Sequence, residues 1–140
     1  MNLAHLLERR ALASPQQPAI FEGTELRASY GQWAERSARL GRHLQAQGLV
    51  PGDRVLLFMR NHPRYLEALL GTWWAGGAVV PVNAKLHPAE VAWIAENAQA
   101  SHAFVTRDVA SQPLAGLARQ VDVESAEAAA LRVVAPNLPA

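Results

Sequence analysis

The chain has 140 residues, 50% of them hydrophobic and only 18% charged, with a formal net charge of +1; this suits one globular domain and excludes both disorder and bulk attraction to nucleic acid or an anionic membrane. The absence of cysteine excludes disulfides, zinc–thiolate sites and a thiol nucleophile. The longest apolar-plus-glycine run, Trp73 to Val82, is far below the ~20 residues of a transmembrane segment, and Met1 to Arg10 shows no basic leader before an apolar core, so a cytoplasmic protein without a signal peptide is expected.

Asn2 is placed to cap a first helix with Leu3, Leu6, Leu7 and Ala11 on one face. Ser14-Pro15 ends it, because a residue before proline avoids helical geometry. Ala19 to Phe21 and Leu26 to Ser29 predict a short hairpin, with Gly23-Thr24 as a type II′ turn. Ser29 and Gln32 have capping-box spacing and open the clearest helix. Its inward stripe is Trp33, Ser37, Leu40, Gly41 and Leu44; Glu35, Arg36, Arg39 and Arg42 are expected to face solvent, and Gly48 to stop the helix.

Pro51-Gly52-Asp53 forms a turn before Val55 to Met59, a continuous apolar run of the kind covered on both faces in a parallel sheet. Pro63 is expected in the first turn of the next helix, whose apolar face carries Leu66, Leu69, Leu70, Trp73 and Trp74 and which Gly76-Gly77 ends. Of the two tryptophans one is expected in the core and the other at a lid or interface, since helical neighbours point about 100° apart. Ala78 to Val82 is a strand, short or at an edge because Pro81 cannot donate to a ladder. Pro88 starts a helix with Val91, Ile94, Ala95 and Ala98 inward, and Ala103 to Thr106 is a third strand. Beyond Asp108 the pattern weakens: Gln112 to Gln120 and Ser125 to Leu131 read as helical, Val121 to Val123 and Arg132 to Val134 as strands, and Ala135 to Ala140 as a linker.

From Arg54 the order is strand, helix, strand, helix, strand, which makes the strands parallel. The fold class is α/β: a partial doubly wound parallel sheet with flanking helices, preceded by a short β-hairpin. Residues 1–109 are expected to form the subdomain and 110–140 an extension and linker. Ligands of such sheets gather at the carboxyl ends of the strands. Those ends are Arg60-Asn61-His62, Asn83-Ala84-Lys85-Leu86-His87 and Arg107-Asp108, one cation each. Two precede helix N-termini, which favour an anion, so Arg60 and Lys85, the chain's single lysine, mark a possible phosphate rim. Exposed loops carry charges in any case, and that alternative stays open. No phosphate-loop, nucleophile-elbow or zincin motif occurs, and the five histidines show no metal-ligand spacing. His62 and His87 stand where helix capping is expected, and Glu67 and Glu90 where a first-turn carboxylate suits the helix dipole.

Two stretches, ASYGQWAERSARLGRHL and GLVPGDRVLLFMRNHPRYLEALLGTWWAGGAVVPVNAKLHPAEVAWIAENAQASHAFV, resemble in order and spacing the early region of the adenylate-forming ligases. These comprise acyl-CoA synthetases, aryl-CoA ligases and peptide-synthetase adenylation domains. The match runs from about Leu3 to Val109, and Val82-Asn83-Ala84-Lys85-Leu86 is most similar to the CoA-ligase branch. The resemblance implies an enzyme that activates a carboxylic acid with Mg-ATP and transfers the acyl group to CoA. The phosphate loop and the adenylation lysine of that family lie downstream of the matched region, so these residues are expected to be an N-terminal piece, inactive alone and self-associating through its cut face. The resemblance gives Lys85 a place near the phosphates of CoA and gives no catalytic residue and no metal ligand here. A non-catalytic α/β binding module and an adenylation domain serving a carrier protein are the alternatives.

Overall fold

A computed structural model describes residues 2–110, 113–114, 116–117, 119–125 and 128. Helix α1 (Ala4–Ala13) leads into a hairpin of β1 (Pro18–Glu22) and β2 (Glu25–Ser29), then α2 (Tyr30–Ala46). Strand β3 (Arg54–Phe58), α3 (Tyr65–Trp74), β4 (Ala78–Val82), α4 (Pro88–Asn97), β5 (Ala100–Val105) and β6 (Arg119–Asp122) follow. The hairpin is antiparallel, and the other four strands form a parallel sheet in the order β4-β3-β5-β6. Gly23 at φ +60° makes the hairpin turn, a conformation glycine adopts without strain.

The apolar run of β3 is fully buried on both faces. Val55, Leu57 and Met59 join Leu40 and Leu44 of α2, Ala68 of α3 and Phe104 of β5. Leu56 and Phe58 point the other way, into a cluster with Val91 and Ala95 of α4 and Ala103 and Val105 of β5. One strand thus supplies two cores, which explains why its sequence is continuous and not alternating. β4 lies at the sheet edge, as Pro81 requires.

The capping box is formed: Gln32 N donates to Ser29 Oγ at 3.2 Å and Ser29 N to Gln32 Oε1 at 2.9 Å. Helices α2 and α3 pack at a crossing where Gly41 meets Gly71. Both tryptophans at the end of α3 are half-buried against one cluster with Ala4, Leu7 and Leu70, so neither is a free lid.

Several expectations change. Leu3 and Leu6 are 45% and 57% exposed, while α1 buries Leu7 as expected and Ala4 beside it, because Asn2 ties its start to α3 by donating from Nδ2 to Trp73 O at 2.6 Å and so fixes which face turns inward. Pro63 lies in the turn before α3, which begins at Tyr65. Arg36 and Arg39 do not face solvent: their side chains are 23% and 12% exposed, Arg36 reaching Glu67 and Arg39 pairing with Glu35. Arg119 and Gln120, expected in a helix, begin β6, which pairs with His102 to Val105 and carries the sheet to Asp122. The third strand starts three residues early, at Ala100. Pro113, Leu114, Gly116 and Leu117, expected in the same helix as Arg119 and Gln120, are not helical, and Gly116 at φ +81° takes a left-handed conformation that a helix interior does not allow. Gln112, Ala115 and Ala118, most of the helix expected over Ser125 to Leu131, Arg132 to Val134 and Ala135 to Ala140 lie outside the described residues.

Candidate functional site at the carboxyl ends of the strands

The chain leaves β3 through α3 to β4 on one side, then returns through α4 to β5 on the other. Between β3 and β5 the winding reverses, and the crevice beyond their carboxyl ends is where open α/β sheets take ligands. Three of the predicted loops meet along this rim, since Phe58 is level with Val82 and with Val105.

The crevice is bridged by polar contacts. Arg60 N donates to Thr106 Oγ1 at 3.0 Å, and Thr106 is fully buried. The Arg60 guanidinium lies 3.1 Å from Asp108 Oδ2 and 2.9 Å from Glu124 Oε2. Arg107 Nε pairs with Asp122 at 3.0 Å. Arg64 donates to Val123 O, and His62 Nε2 stands 3.8 Å from Glu124 Oε2. The loops after β3 and β5 are therefore strapped to the segment that follows β6. Each predicted cation is present, but Arg60 and Arg107 meet carboxylates that the loop-by-loop reading did not bring in, because Asp122 and Glu124 fell in the weakly patterned tail.

Lys85 is placed differently. Lys85 N donates to Asn83 Oδ1 at 2.9 Å and Leu86 N to Asn83 O at 3.1 Å, an asparagine turn that holds the loop after β4. Its side chain is exposed and makes no ion pair among the described residues. His87 then caps α4 by accepting from Ala89 N at Nδ1, 3.1 Å away, with Pro88 in the first turn. His62 accepts from Arg64 N in the same way, at 3.1 Å. The expected cap is made at His87, whereas α3 has Arg64 at its N-cap position with no side-chain cap, and His62 instead holds the turn that leads into that helix. Burial is the main cause that lowers the His62 pKa below the ordinary 6.5; Arg60 and Arg64 add to it and Glu124 opposes it.

Behind the rim lies a feature the sequence did not announce. A cavity of about 440 Å³ separates the hairpin from the start of α3, and Arg27, Arg36, His62, Arg64, Glu67 and Glu124 line it. Glu67 is buried, 2% exposed, with the Arg36 guanidinium 3.7 Å from its Oε1. Its signal was present as a lone carboxylate inside the apolar run from Tyr65 to Leu70, and the helix dipole alone does not explain a carboxylate so deeply placed. An adjoining cavity of about 430 Å³ is more apolar and includes Phe21, Tyr65 and Leu66. Among the described residues no group of three His, Cys, Asp or Glu could hold a metal ion, and no helix is long and apolar enough to cross a membrane.

A family model described as AMP-binding enzyme matches residues 7–138. The chain is 44% identical over 79 residues to a feruloyl-CoA synthase of Amycolatopsis sp, a match covering 56% of this chain and 16% of that protein. It is 34% identical over 94 residues to the long-chain-fatty-acid–CoA ligase FadD13 of Mycobacterium tuberculosis (strain ATCC 25618 / H37Rv), covering 66% of this chain and 19% of the relative. A fatty acyl CoA synthetase structure from Mycobacterium tuberculosis superposes with a TM-score of 0.85 at 28% identity, covering 99% of this chain and 30% of that one. The matched region is thus under a fifth of the length of these two curated relatives.

Proposed function

The chain belongs to the AMP-binding enzyme family, and from that membership we propose that it is the N-terminal portion of an AMP-forming acid–thiol ligase. In this reading the complete enzyme activates a carboxylic acid with Mg-ATP, releases pyrophosphate, and passes the acyl group from the adenylate to the CoA thiol. The observation that carries the proposal is the superposition over 99% of the chain on a fatty acyl CoA synthetase. The 44% identity to a feruloyl-CoA synthase supports CoA over a carrier protein as the acyl acceptor. A cytoplasmic location and a role limited to scaffolding for these residues alone belong to the same reading, with the phosphate loop and adenylation lysine supplied by further polypeptide.

Within that enzyme Lys85 would hold a CoA phosphate. Its setting suits this role, with an exposed ammonium on a turn fixed by Asn83 that no carboxylate neutralises among the described residues. Lysine serves such a site as a mobile point charge. Arg60 would add positive potential to the rim, reduced by its contacts with Asp108 and Glu124. The test is acid- and CoA-dependent conversion of ATP to AMP by the complete enzyme and by the 140-residue chain. Activity is expected from the former only; turnover by the 140 residues alone would overturn the scaffolding role, and an inert complete enzyme would overturn the ligase reading.

A further inference from the structure

We propose that Glu124 occupies an anion site built by Arg60, His62 and Arg64, and that a phosphate-bearing ligand takes the site by displacing its carboxylate. Three basic side chains at alternate positions of one loop converge on two residues beyond β6. Arg60 is 2.9 Å from Glu124 Oε2, His62 Nε2 is 3.8 Å from the same oxygen, and Arg64 donates to the carbonyl of Val123. The bend at Asn61 and the turn closed by Tyr65 N donating to His62 O at 2.9 Å bring these groups to one side.

Space for a ligand adjoins them. The cavity of about 440 Å³ is lined by Glu124, His62 and Arg64 together with Arg27 and Arg36, and Arg60 reaches it through its contact with Glu124. Its remaining acids are matched, Glu22 with Arg27 at 2.5 Å and Glu67 with Arg36 at 3.7 Å. Glu124 is the cavity acid that faces the loop, sharing Arg60 with Asp108, whose Oδ2 stands 3.1 Å from Arg60 Nε, and its side chain is one third exposed. The turn that carries it does not depend on its carboxylate. Asp122 Oδ1 accepts from Glu124 N at 2.9 Å, Ser125 N donates to Asp122 O at 3.0 Å, and Val123 N donates to Val105 O at 3.0 Å. The carboxylate can swing out while the backbone stays docked.

A phosphate carries more charge and more acceptor oxygens than a carboxylate, and guanidinium groups bind it bidentately. Exchange is therefore favoured at this site, with Glu124 and Asp108 both on Arg60 when no ligand is present. The inference does not rest on the ligase reading, which assigns its CoA phosphate to Lys85 on a different loop.

Inorganic pyrophosphate, titrated calorimetrically into the 140-residue chain, tests it. The E124Q variant is expected to bind about fivefold more tightly than the parent, and R64Q more weakly than the parent. In the parent, which needs no altered residue to fold, saturating pyrophosphate is expected to shift the side-chain carboxyl NMR signal of Glu124 to that of a solvated carboxylate. Equal affinity of the parent and E124Q, or an unchanged Glu124 signal at saturation, would overturn the proposal.

Discussion

Gly41 and Gly71 touch backbone to backbone across the crossing of α2 and α3. A Cβ on Gly41 would stand 2.8 Å from Gly71 O and 2.8 Å from Trp74 Cδ1, and one on Gly71 would stand 2.8 Å from Leu40 Cβ and 2.9 Å from Ser37 O. No side-chain rotation relieves a contact with backbone carbonyls, so an added methyl must drive the helices apart. G71A is expected to destabilise the chain by about 2 kcal/mol or more, read from urea denaturation. Once the helices have moved, G41A adds less than its separate effect, so the double variant is expected to fall short of the sum of the two.

The cap on α2 gives a smaller and cleaner effect. Ser29 Oγ and the Gln32 side chain each satisfy a backbone N–H that the helix leaves open. S29A is expected to cost about 1 kcal/mol, and S29D to recover most of it. Thermal unfolding of the three proteins measures this; an S29A protein as stable as the parent would show that Gln32 alone caps the helix.

Much of this architecture was legible because local signals agreed with tertiary ones. Val55 to Met59 announced a strand buried on both faces, Pro81 announced an edge, and Ser29 with Gln32 announced a helix start, each through a rule that acts within a few residues. The misread parts depend on contacts distant in sequence. Nothing near Arg36 shows that Glu67 waits 3.7 Å away, nor anything near Arg60 that Glu124 closes over it. For β6 the pattern found the strand at Val121 and Asp122 but missed its start, because Arg119 and Gln120 are polar and take their extended shape from pairing with β5. At the candidate site the loops and cations were readable, and the carboxylates that partner them were not.

Lys85 separates two half-reactions of the proposed ligase. Its replacement by alanine in the complete enzyme is expected to raise the KM for CoA about tenfold or more, the scale of one charge-assisted phosphate contact. Acid-dependent pyrophosphate exchange, which needs no CoA, should change less than about twofold. Equal losses in both assays would remove Lys85 from the CoA site.

Stability is expected to fall on mild acidification. Burial chiefly lowers the pKa of His62 and also that of His102, which is 6% exposed. Near His102, Arg119 and His43 act in the same direction, while the Gln47 backbone and Asp53 oppose it. The unfolded chain then takes up protons before the folded one, so stability is held above the unfolded value of about 6.5 and lost as pH falls from there toward the lowered folded values. The urea midpoint at pH 5.5 should lie below that at pH 7.5, and H62Q should flatten the difference. A midpoint that rises on acidification would contradict the sign.

The unpaired side of β4 invites association. Ala78 and Pro81 are exposed there, beside half-buried Val79, Val80 and Val82. An open edge of this kind templates pairing with another chain. Sedimentation velocity is expected to show mass increasing with concentration, and A78K, which places a charge on the edge, to shift the population toward monomer. A parent that stays monomeric at all concentrations would mean that Pro81 alone blunts the edge.

Two arginines bracket β3. At its start Arg54 donates from Nε to Ala98 O at 2.7 Å and from its guanidinium to Gly52 O and Gln99 Oε1; just past its end Arg60 N meets Thr106 Oγ1. Since both faces of the strand are greasy, sliding it by one residue would still bury hydrocarbon on either side, and hydrophobicity alone cannot reject the slipped alignment. The clamp at its start rejects it: a shift would strand the Arg54 guanidinium away from Ala98 O and Gln99 Oε1, whereas the Thr106 contact is made by a backbone N–H that any neighbouring residue would also offer. The alignment of the central strand, and with it the level at which every rim loop emerges, is thus set by the one arginine at its entrance and not by its oily middle.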